Sequence, residues 1–483
     1  MDMVLKGDYF DGQWHSPKGA SDETLLKKSP ADLNLTLWEA HVWHSHADAV
    51  VQSAQKGFEV WRKFSFEERS AVIRRYQEAV KKRGDAIAEA LAWEVGKPLW
   101  EAKTEAAALV TKVDVTLGDS WKRIERKTIK DVMPKIDGHT IMKPIGVAFV
   151  IGPFNFPCHL ANGQILAALT AGNSVIFKPS EKTIYSAQLM MEAYAEAGFP
   201  PGVINFINGT GVTAGKLTSD SRVRAVFFTG SRAVGKMILK NTHQDLKKMV
   251  ALELGGKNSS IIHHDAHIPH AMPELLRSCF LTSGQRCTST SMIMVQRKIA
   301  DQFIDEFKKI TQRIRVDHPV LSEQPAFMGP VIDAQAEKLY LDFCAQGLKE
   351  GAQEIIAPKK LEHKWPGHYV SPSLHYLEKA DLKGKFVQEE IFGPNACFLP
   401  YDDIEEAIAA ANCTEYGLAA AVFTRDADIF KLCLRDIDSG LINLNRSTVG
   451  ATARLPFGGV KDSGNFKPAA VSMIDHCVHT VAA

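Results

Sequence analysis

The 483-residue sequence predicts an α/β protein of two or three domains built on parallel sheets. Three observations carry this expectation. The chain is too long for one simple core. From about residue 143, short apolar runs at 146–151, 174–177, 203–207, 223–228 and 249–252 alternate with helical stretches such as 184–197. Runs apolar on both faces and joined by helices are strands buried on both sides of a parallel sheet. Glycine- and proline-marked segments then follow those runs, at 153–157, 178–181, 230–231 and Glu253. That position is the carboxyl edge, where open α/β sheets bind ligands.

Taken in order, Tyr9-Phe10-Asp11-Gly12-Gln13-Trp14 predicts a hairpin around an Asp-Gly turn. Helices are expected next, with Ser45/Asp48 and Ser65/Glu68 spaced as capping boxes. Ala47, Val50, Val51, Ala54, Phe58 and Trp61 recur at helical spacing. Arg123, Glu125, Lys127, Ile129 and Asp131 lie in a stretch, 119–141, that fits an extended ribbon loosely. A second α/β region is expected from about Ser259 and carries Cys287. There is no internal repeat and no low-complexity segment.

Composition excludes several classes. Apolar content of 45%, charged content of 23% and a formal net charge of +1 are ordinary for a soluble globular protein and give no support to nucleic-acid or anionic-membrane binding. Residues 1–8 lack a signal-peptide core, and no apolar run is long enough to span a bilayer. The eight cysteines are scattered without a Cys-x-x-Cys pair, which fits a reducing cytoplasm. His263-His264 and the group His41, His44, His46 match no metal-ligand spacing, so no metal is expected and most histidines read as surface or capping residues.

Chemistry concentrates in three segments: Pro153-Phe154-Asn155-Phe156-Pro157, Leu252-Glu253-Leu254-Gly255-Gly256-Lys257 and Gly284-Gln285-Arg286-Cys287-Thr288. They supply a side-chain amide, a carboxylate and a thiol. An amide N–H can stabilise an oxyanion, a carboxylate can activate water, and a thiol can attack a carbonyl carbon. Read locally, Asn155 is equally a turn asparagine between prolines. With Phe177-Lys178-Pro179-Ser180-Glu181, Phe228-Thr229-Gly230-Ser231, Glu389-Glu390-Ile391-Phe392-Gly393-Pro394 and Pro456-Phe457-Gly458-Gly459, the segments in this order resemble the aldehyde dehydrogenase superfamily, which oxidises aldehydes to acids with NAD(P).

The resemblance implies the aldehyde dehydrogenase fold: a Rossmann-like NAD-binding domain (1–118 and 142–252), an α/β catalytic domain (253–440), and a β-ribbon oligomerisation flap (119–141 with 465–483). Residues 441–464 would return to the NAD-binding domain and anchor substrate. It implies a homodimer or homotetramer acting on a small aldehyde. Cys287 is then the nucleophile, its thiol (ordinarily near pKa about 8.5) acidified or deprotonated on demand. Glu253 is the base that hydrolyses the thioester, and Asn155, with the Cys287 N–H, holds the oxyanion. Pro153, Phe154, Lys178, Ser180, Glu181, Gly211, Phe228, Gly230, Ser231, Leu254, Gly255, Glu390 and Phe392 match cofactor positions. A carboxylate at Glu181 facing the ribose hydroxyls favours NAD over NADP. Gly230-Ser231 starts a helix suited to pyrophosphate. The run Gly209-x-Gly211-x-x-x-Gly215 departs from the usual dinucleotide fingerprint, which this family does not use.

Within the family, Cys158-His159-Leu160-Ala161-Asn162-Gly163-Gln164, Asn443 to Ala451, and Ser463-Gly464-Asn465-Phe466-Lys467-Pro468 resemble the branch that oxidises N-succinylglutamate 5-semialdehyde in bacterial arginine degradation. Ser289 and Val460 depart from that branch's usual residues. Phe156, Leu160, Gly163, Arg286, Thr288, Arg446, Gly450, Ala451 and Phe457 are the expected substrate contacts. Gly163 would open a tunnel that many relatives wall with an aromatic residue. Arg286, Arg446 and Arg454 would meet substrate carboxylates. Glutamate 5-semialdehyde is the alternative substrate. Some family members are structural or binding proteins with damaged sites, but here cysteine, glutamate and asparagine are all intact.

Overall fold

The computed structural model describes residues 3–16, 20–379 and 382–483. Met1 and Asp2, the start of the N-terminal stretch read above, lie outside them. The first sheet runs, side by side, Met249–Glu253, Val223–Thr229, Val147–Ile151, Ser174–Lys178, Ile204–Phe206, then Asp8–Phe10 and Gln13–His15. Its first five strands are parallel. Val147–Ile151 and Ser174–Lys178 are buried at every residue, which is why their sequences show no polar alternation. Among the five parallel strands the chain enters at the central one, Val147–Ile151, moves outward in one direction, then crosses back to Val223–Thr229 on its other side. The switch point therefore opens a crevice at the carboxyl ends. The expected hairpin closes the sheet's edge, with Asp11 (φ 50°) and Gly12 (φ 78°) forming its left-handed two-residue turn.

A second sheet follows: Gln353–Ile356, Ser373–Tyr376, Asn395–Tyr401, Thr290–Gln296, Asn258–Ile262, Ala419–Phe423, Leu441–Leu444. All neighbours are parallel except the edge strand Gln353–Ile356. Both regions thus meet the α/β expectation. Among the described residues no helix is long and apolar enough to cross a membrane.

Helices Phe66–Lys82, Gly84–Val95, Leu99–Val115, His159–Ala171 and Ile184–Glu196 bury their apolar faces in one core with the first sheet. Some polar groups inside it pair with one another. Tyr76 and Tyr194 stack at 3.7 Å and both donate to Asn162 Oδ1, at 2.6 and 2.8 Å. The Ser65/Glu68 capping box is complete. The Ser45/Asp48 box is not. Ser45 is already helical (φ −65°, ψ −26°), so its hydroxyl cannot reach the first-turn N–H groups, and Asp48 instead accepts from Gln52 and Arg222. Of the periodic residues in helix His46–Trp61, Phe58 is only half-buried, with the Arg62 guanidinium 5.0 Å from its ring centre, whereas Ala47, Val50, Val51, Ala54 and Trp61 are buried.

Two further corrections concern the strands. A long hairpin, Glu23–Ser29 with Asp32–Val42, precedes the helices that were expected to follow directly. The ribbon begins at Lys127, not Asp119. Helix Leu99–Val115 continues as a wide π turn, Thr116–Ser120, and a tight 3₁₀ turn, Trp121–Arg123, because Trp121 stacks on Phe66 at 3.9 Å and Arg123 pairs with Asp475. Strands Lys127–Met133 and Ile136–Pro144 then pair, and Val478–Ala482 adds the third strand. Every residue of Lys127–Met133 is exposed, which explains its weak alternation.

Candidate active site

Cys287 follows a strained turn. Helix Ile268–Phe280 ends in Leu281–Gly284, where Thr282 and Ser283 both sit at φ 54°. Left-handed non-glycine residues persist only where the surroundings over-determine them. Here Glu101 does so. Its buried carboxylate accepts from Thr282 N at 3.2 Å and from the Thr282 hydroxyl, and pairs with Arg286 at 2.6 Å. Ser283 donates to Gly329 O at 2.7 Å. Gly284 is required because a Cβ would stand 2.2 Å from Gly393 O. Beyond the turn, Asn258 Nδ2 donates to the Cys287 and Ser289 carbonyls at 2.7 and 2.9 Å.

Asn155 lies on the loop leaving the central strand. It is buried, and its Nδ2 donates to Gln285 O at 2.9 Å while its backbone carbonyl accepts from Lys97 Nζ at 2.7 Å. Lys97 is itself buried, paired with Glu105 at 2.6 Å and 3.8 Å from the Phe156 ring centre. The Asn155 amide keeps a second N–H.

Glu253 ends its strand almost fully buried, and neither carboxylate oxygen has a hydrogen-bond partner in good geometry. Burial pushes its pKa up to about 7, and the nearby Cys287 thiol and Thr229 hydroxyl pull it back only in part. Burial likewise pushes the Cys287 thiol well above its usual value, reinforced by Glu253 and Glu390 and only partly offset by Arg286. The resting thiol is therefore not acidified. A carboxylate of raised basicity beside it is positioned to take its proton on demand.

Cys287 opens on a cavity of about 330 Å³. Phe156, Leu160, Gly163, Arg286, Thr288, Gly450, Ala451 and Phe457 all line it; Arg446 does not. Two expected carboxylate partners are already engaged: Arg286 by Glu101, and exposed Arg454 by Asp119 at 2.8 Å. Nor is the space beside Gly163 an open tunnel. A Cβ there would stand 3.1 Å from Lys112 Cε, because the buried Lys112 side chain of helix Leu99–Val115 passes across it. Lys112, His159, Lys97 and Thr229 were missed by the sequence reading. One signal existed: Lys112 stands on the same helical face as Leu109 and Val113, an unusual place for lysine.

The other expected residues gather along the carboxyl edge of the first sheet. Lys178 is buried at its strand end, donates to Pro179 O at 2.7 Å, and stands 4.0 Å from Glu181, whose side chain is 44% exposed. Ser180 accepts from Lys182 N. Gly211 starts helix Gly211–Ser219, and Ser231 caps Arg232–Thr242 by accepting from Val234 N. Phe228 is buried with its ring 2.4 Å from where a Gly230 Cβ would stand. Leu254 is buried against Gly235 in the same way. Gly255 leaves room for Glu390, which accepts from Gly256 N at 3.0 Å and whose pKa burial raises to about 8. Phe154 and Phe392 meet edge-on at 5.7 Å beside Pro153.

The model of the aldehyde dehydrogenase family matches residues 18–481. The chain belongs to the aldehyde dehydrogenase family. It is an aldehyde-oxidising oxidoreductase with that family's fold. It is 35% identical to an N-succinylglutamate 5-semialdehyde dehydrogenase of Burkholderia multivorans, over 98% of this chain and 95% of that protein. Betaine aldehyde dehydrogenase of Staphylococcus aureus in complex with NAD+ superimposes with a TM-score of 0.93 at 27% identity, over 99% of this chain and 95% of that one. A 1-pyrroline-5-carboxylate dehydrogenase from Thermus with bound NAD gives 0.90 at 27% identity, over 99% and 92%.

Proposed function

We propose that this NAD-dependent aldehyde dehydrogenase oxidises an acidic semialdehyde, N-succinylglutamate 5-semialdehyde, to N-succinylglutamate. The observation that carries the chemistry is the unpaired, buried Glu253 carboxylate beside the Cys287 thiol at the cavity mouth. The choice of substrate is supported by the relatives of that name.

The residues suit NAD. A Cβ at Gly211 would meet no atom within 4 Å, so that helix start is open to a ligand. The start of Arg232–Thr242 offers further backbone N–H groups to a pyrophosphate. Glu181 presents a half-exposed carboxylate for ribose hydroxyls, with Lys178 anchored beside it. Glu390 and Phe392 line the approach to Glu253.

In the reaction, Cys287 Sγ adds to the aldehyde carbon as Glu253 accepts the thiol proton. The second N–H of the Asn155 amide, with the Cys287 backbone N–H, holds the carbonyl oxygen as it gains charge. NAD, when bound, accepts the hydride lost as the thiohemiacetal becomes a thioester. Glu253 passes the thiol proton to solvent and then takes a proton from water, whose oxygen attacks the thioester; the acid leaves and the Glu253 proton returns to the Cys287 thiolate. The cavity wall formed by Phe156, Leu160, Thr288 and Phe457 excludes bulk water and orients the aldehyde.

On this reading residues 1–118 and 142–252 hold the cofactor and 253–440 carry the catalytic cysteine. The ribbon region 119–141 with 465–483 would join copies into a dimer or tetramer, and 441–464 would close the substrate cavity. Glutamate 5-semialdehyde is the second reading, favoured by the likeness to the Thermus enzyme. NADH formation across a panel of semialdehydes tests both. The highest kcat/KM is expected for the succinylated substrate; preference for the unsuccinylated one moves the assignment, and preference for neutral aldehydes overturns the acidic class.

A further inference from the structure

Lys112 presents an ammonium group that no described residue engages. Its residue is 4% exposed and lines the same cavity as Cys287. Its Nζ has no hydrogen bond and no carboxylate within ion-pair distance among the described residues. Buried Lys27 also has no bonded partner among the described residues, but it lies outside this cavity, in the field of Glu94 and Asp333, and the remaining buried lysines are engaged. Lys97 holds Glu105 and Asn155 O, Lys178 holds Pro179 O, and Lys257 holds Phe386 O. A buried charge without a partner is costly, and proteins rarely keep one without use.

The surroundings are shaped to it. Gly163 leaves the room that the Lys112 stem occupies, since a Cβ there would press on Lys112 Cε at 3.1 Å. On the same wall His159 Nδ1 is buried and unpartnered. Burial, together with Lys112 and Lys97, pushes the His159 pKa down to about 4, so this ring is neutral near pH 7 and can donate or accept without adding charge. The Lys112 pKa is pushed down to about 8 by burial, so the amine stays mostly charged near pH 7. The arginines that could compete are bound elsewhere: Arg286 by Glu101 and Arg454 by Asp119.

We infer that the Lys112 ammonium binds a carboxylate of the substrate, remote from the aldehyde, so that this one lysine selects acidic over neutral aldehydes. This rests on the reading of the protein as an acidic-semialdehyde dehydrogenase and adds the residue that performs the selection.

The test compares kcat/KM for N-succinylglutamate 5-semialdehyde and for 5-oxopentanoate with that for pentanal, in the wild-type enzyme and in Lys112→Met. The substitution keeps the length of the stem and removes the charge, and pentanal turnover reports that the variant is folded. A charge-assisted hydrogen bond changes affinity by about ten- to a hundredfold. The acidic-to-neutral ratio should fall by that factor for at least one acidic substrate, through KM more than kcat. If the wild-type enzyme favours both acids and Lys112→Met keeps both ratios, the assignment to Lys112 is overturned while the acidic class stands. If the wild-type enzyme shows no acidic advantage, the class and the inference fall together.

Discussion

Asn155 Nδ2 donates to the backbone carbonyl of Gln285 at 2.9 Å, tying the loop after the first sheet's central strand to the turn that carries Cys287 two residues later. The proposed oxyanion donor and the proposed nucleophile thus share one hydrogen-bonded frame, fixed further by Lys97 on the Asn155 carbonyl.

Asn155→Ala removes both the tie and the donor. Loss of one oxyanion donor lowers kcat by about 10²–10³-fold. Steady-state kinetics should show that loss with KM little changed. A variant that kept most of its kcat would exclude Asn155 from the oxyanion site.

Glu253 acts as a base only when ionised, and its pKa is raised to about 7. Turnover should therefore fall as pH drops below about 7, approaching tenfold per unit. Glu253→Gln should remove this limb and slow both the initial burst of NADH, which needs the thiol proton taken, and the steady turnover that follows. Full steady turnover of that variant without an added nucleophile would refute the role.

Glu101 is buried under the Cys287 turn. Burial alone would raise its pKa, but Arg286 and Lys97 outweigh it and hold the carboxyl below its usual 4.5. Its contribution to stability is therefore present above pH 4.5 and lost as pH falls through the lower folded value. Glu101→Gln leaves Arg286 without its counter-ion and should cost about 3–5 kcal/mol, measured by urea unfolding at neutral pH. A change under 1 kcal/mol (roughly a surface pair's worth) would show that the pair does not hold this turn.

Glu181 repels a 2′-phosphate if it faces the adenosine ribose. Glu181→Gln should raise kcat/KM with NADP relative to NAD. An unmodified enzyme already more efficient with NADP would place the ribose elsewhere.

Gly163→Trp drives a ring into the space that Lys112 crosses. The succinylated substrate should lose far more kcat/KM than propanal does. Equal losses would mean that substrates do not extend past residue 163.

The parallel sheets, the N-terminal hairpin and the Ser65 cap were legible in the sequence because each rests on local pattern, whereas the proposed roles of Cys287, Glu253 and Asn155 came from the family resemblance. Buried strands read as apolar runs, Asp11-Gly12 supplies a left-handed turn, and glycine-marked segments keep their order along the chain. Eight of the nine residues that the resemblance marked as substrate contacts line one cavity. What tertiary structure alone decided is which charges are free. Arg286, Arg454 and Lys112 look alike as cations in sequence, yet the first two meet Glu101 and Asp119 across 185 and 335 residues. Lys112 meets no partner among the described residues and lines the cavity. The failed Ser45 cap and the late start of the ribbon have a similar origin: distant contacts to Arg222, Phe66 and Asp475 outweighed local spacing. Helical and strand periods are set by neighbours along the backbone, but the pairing of a charge, and hence its availability to a substrate, is set by whatever the fold brings within a few ångströms.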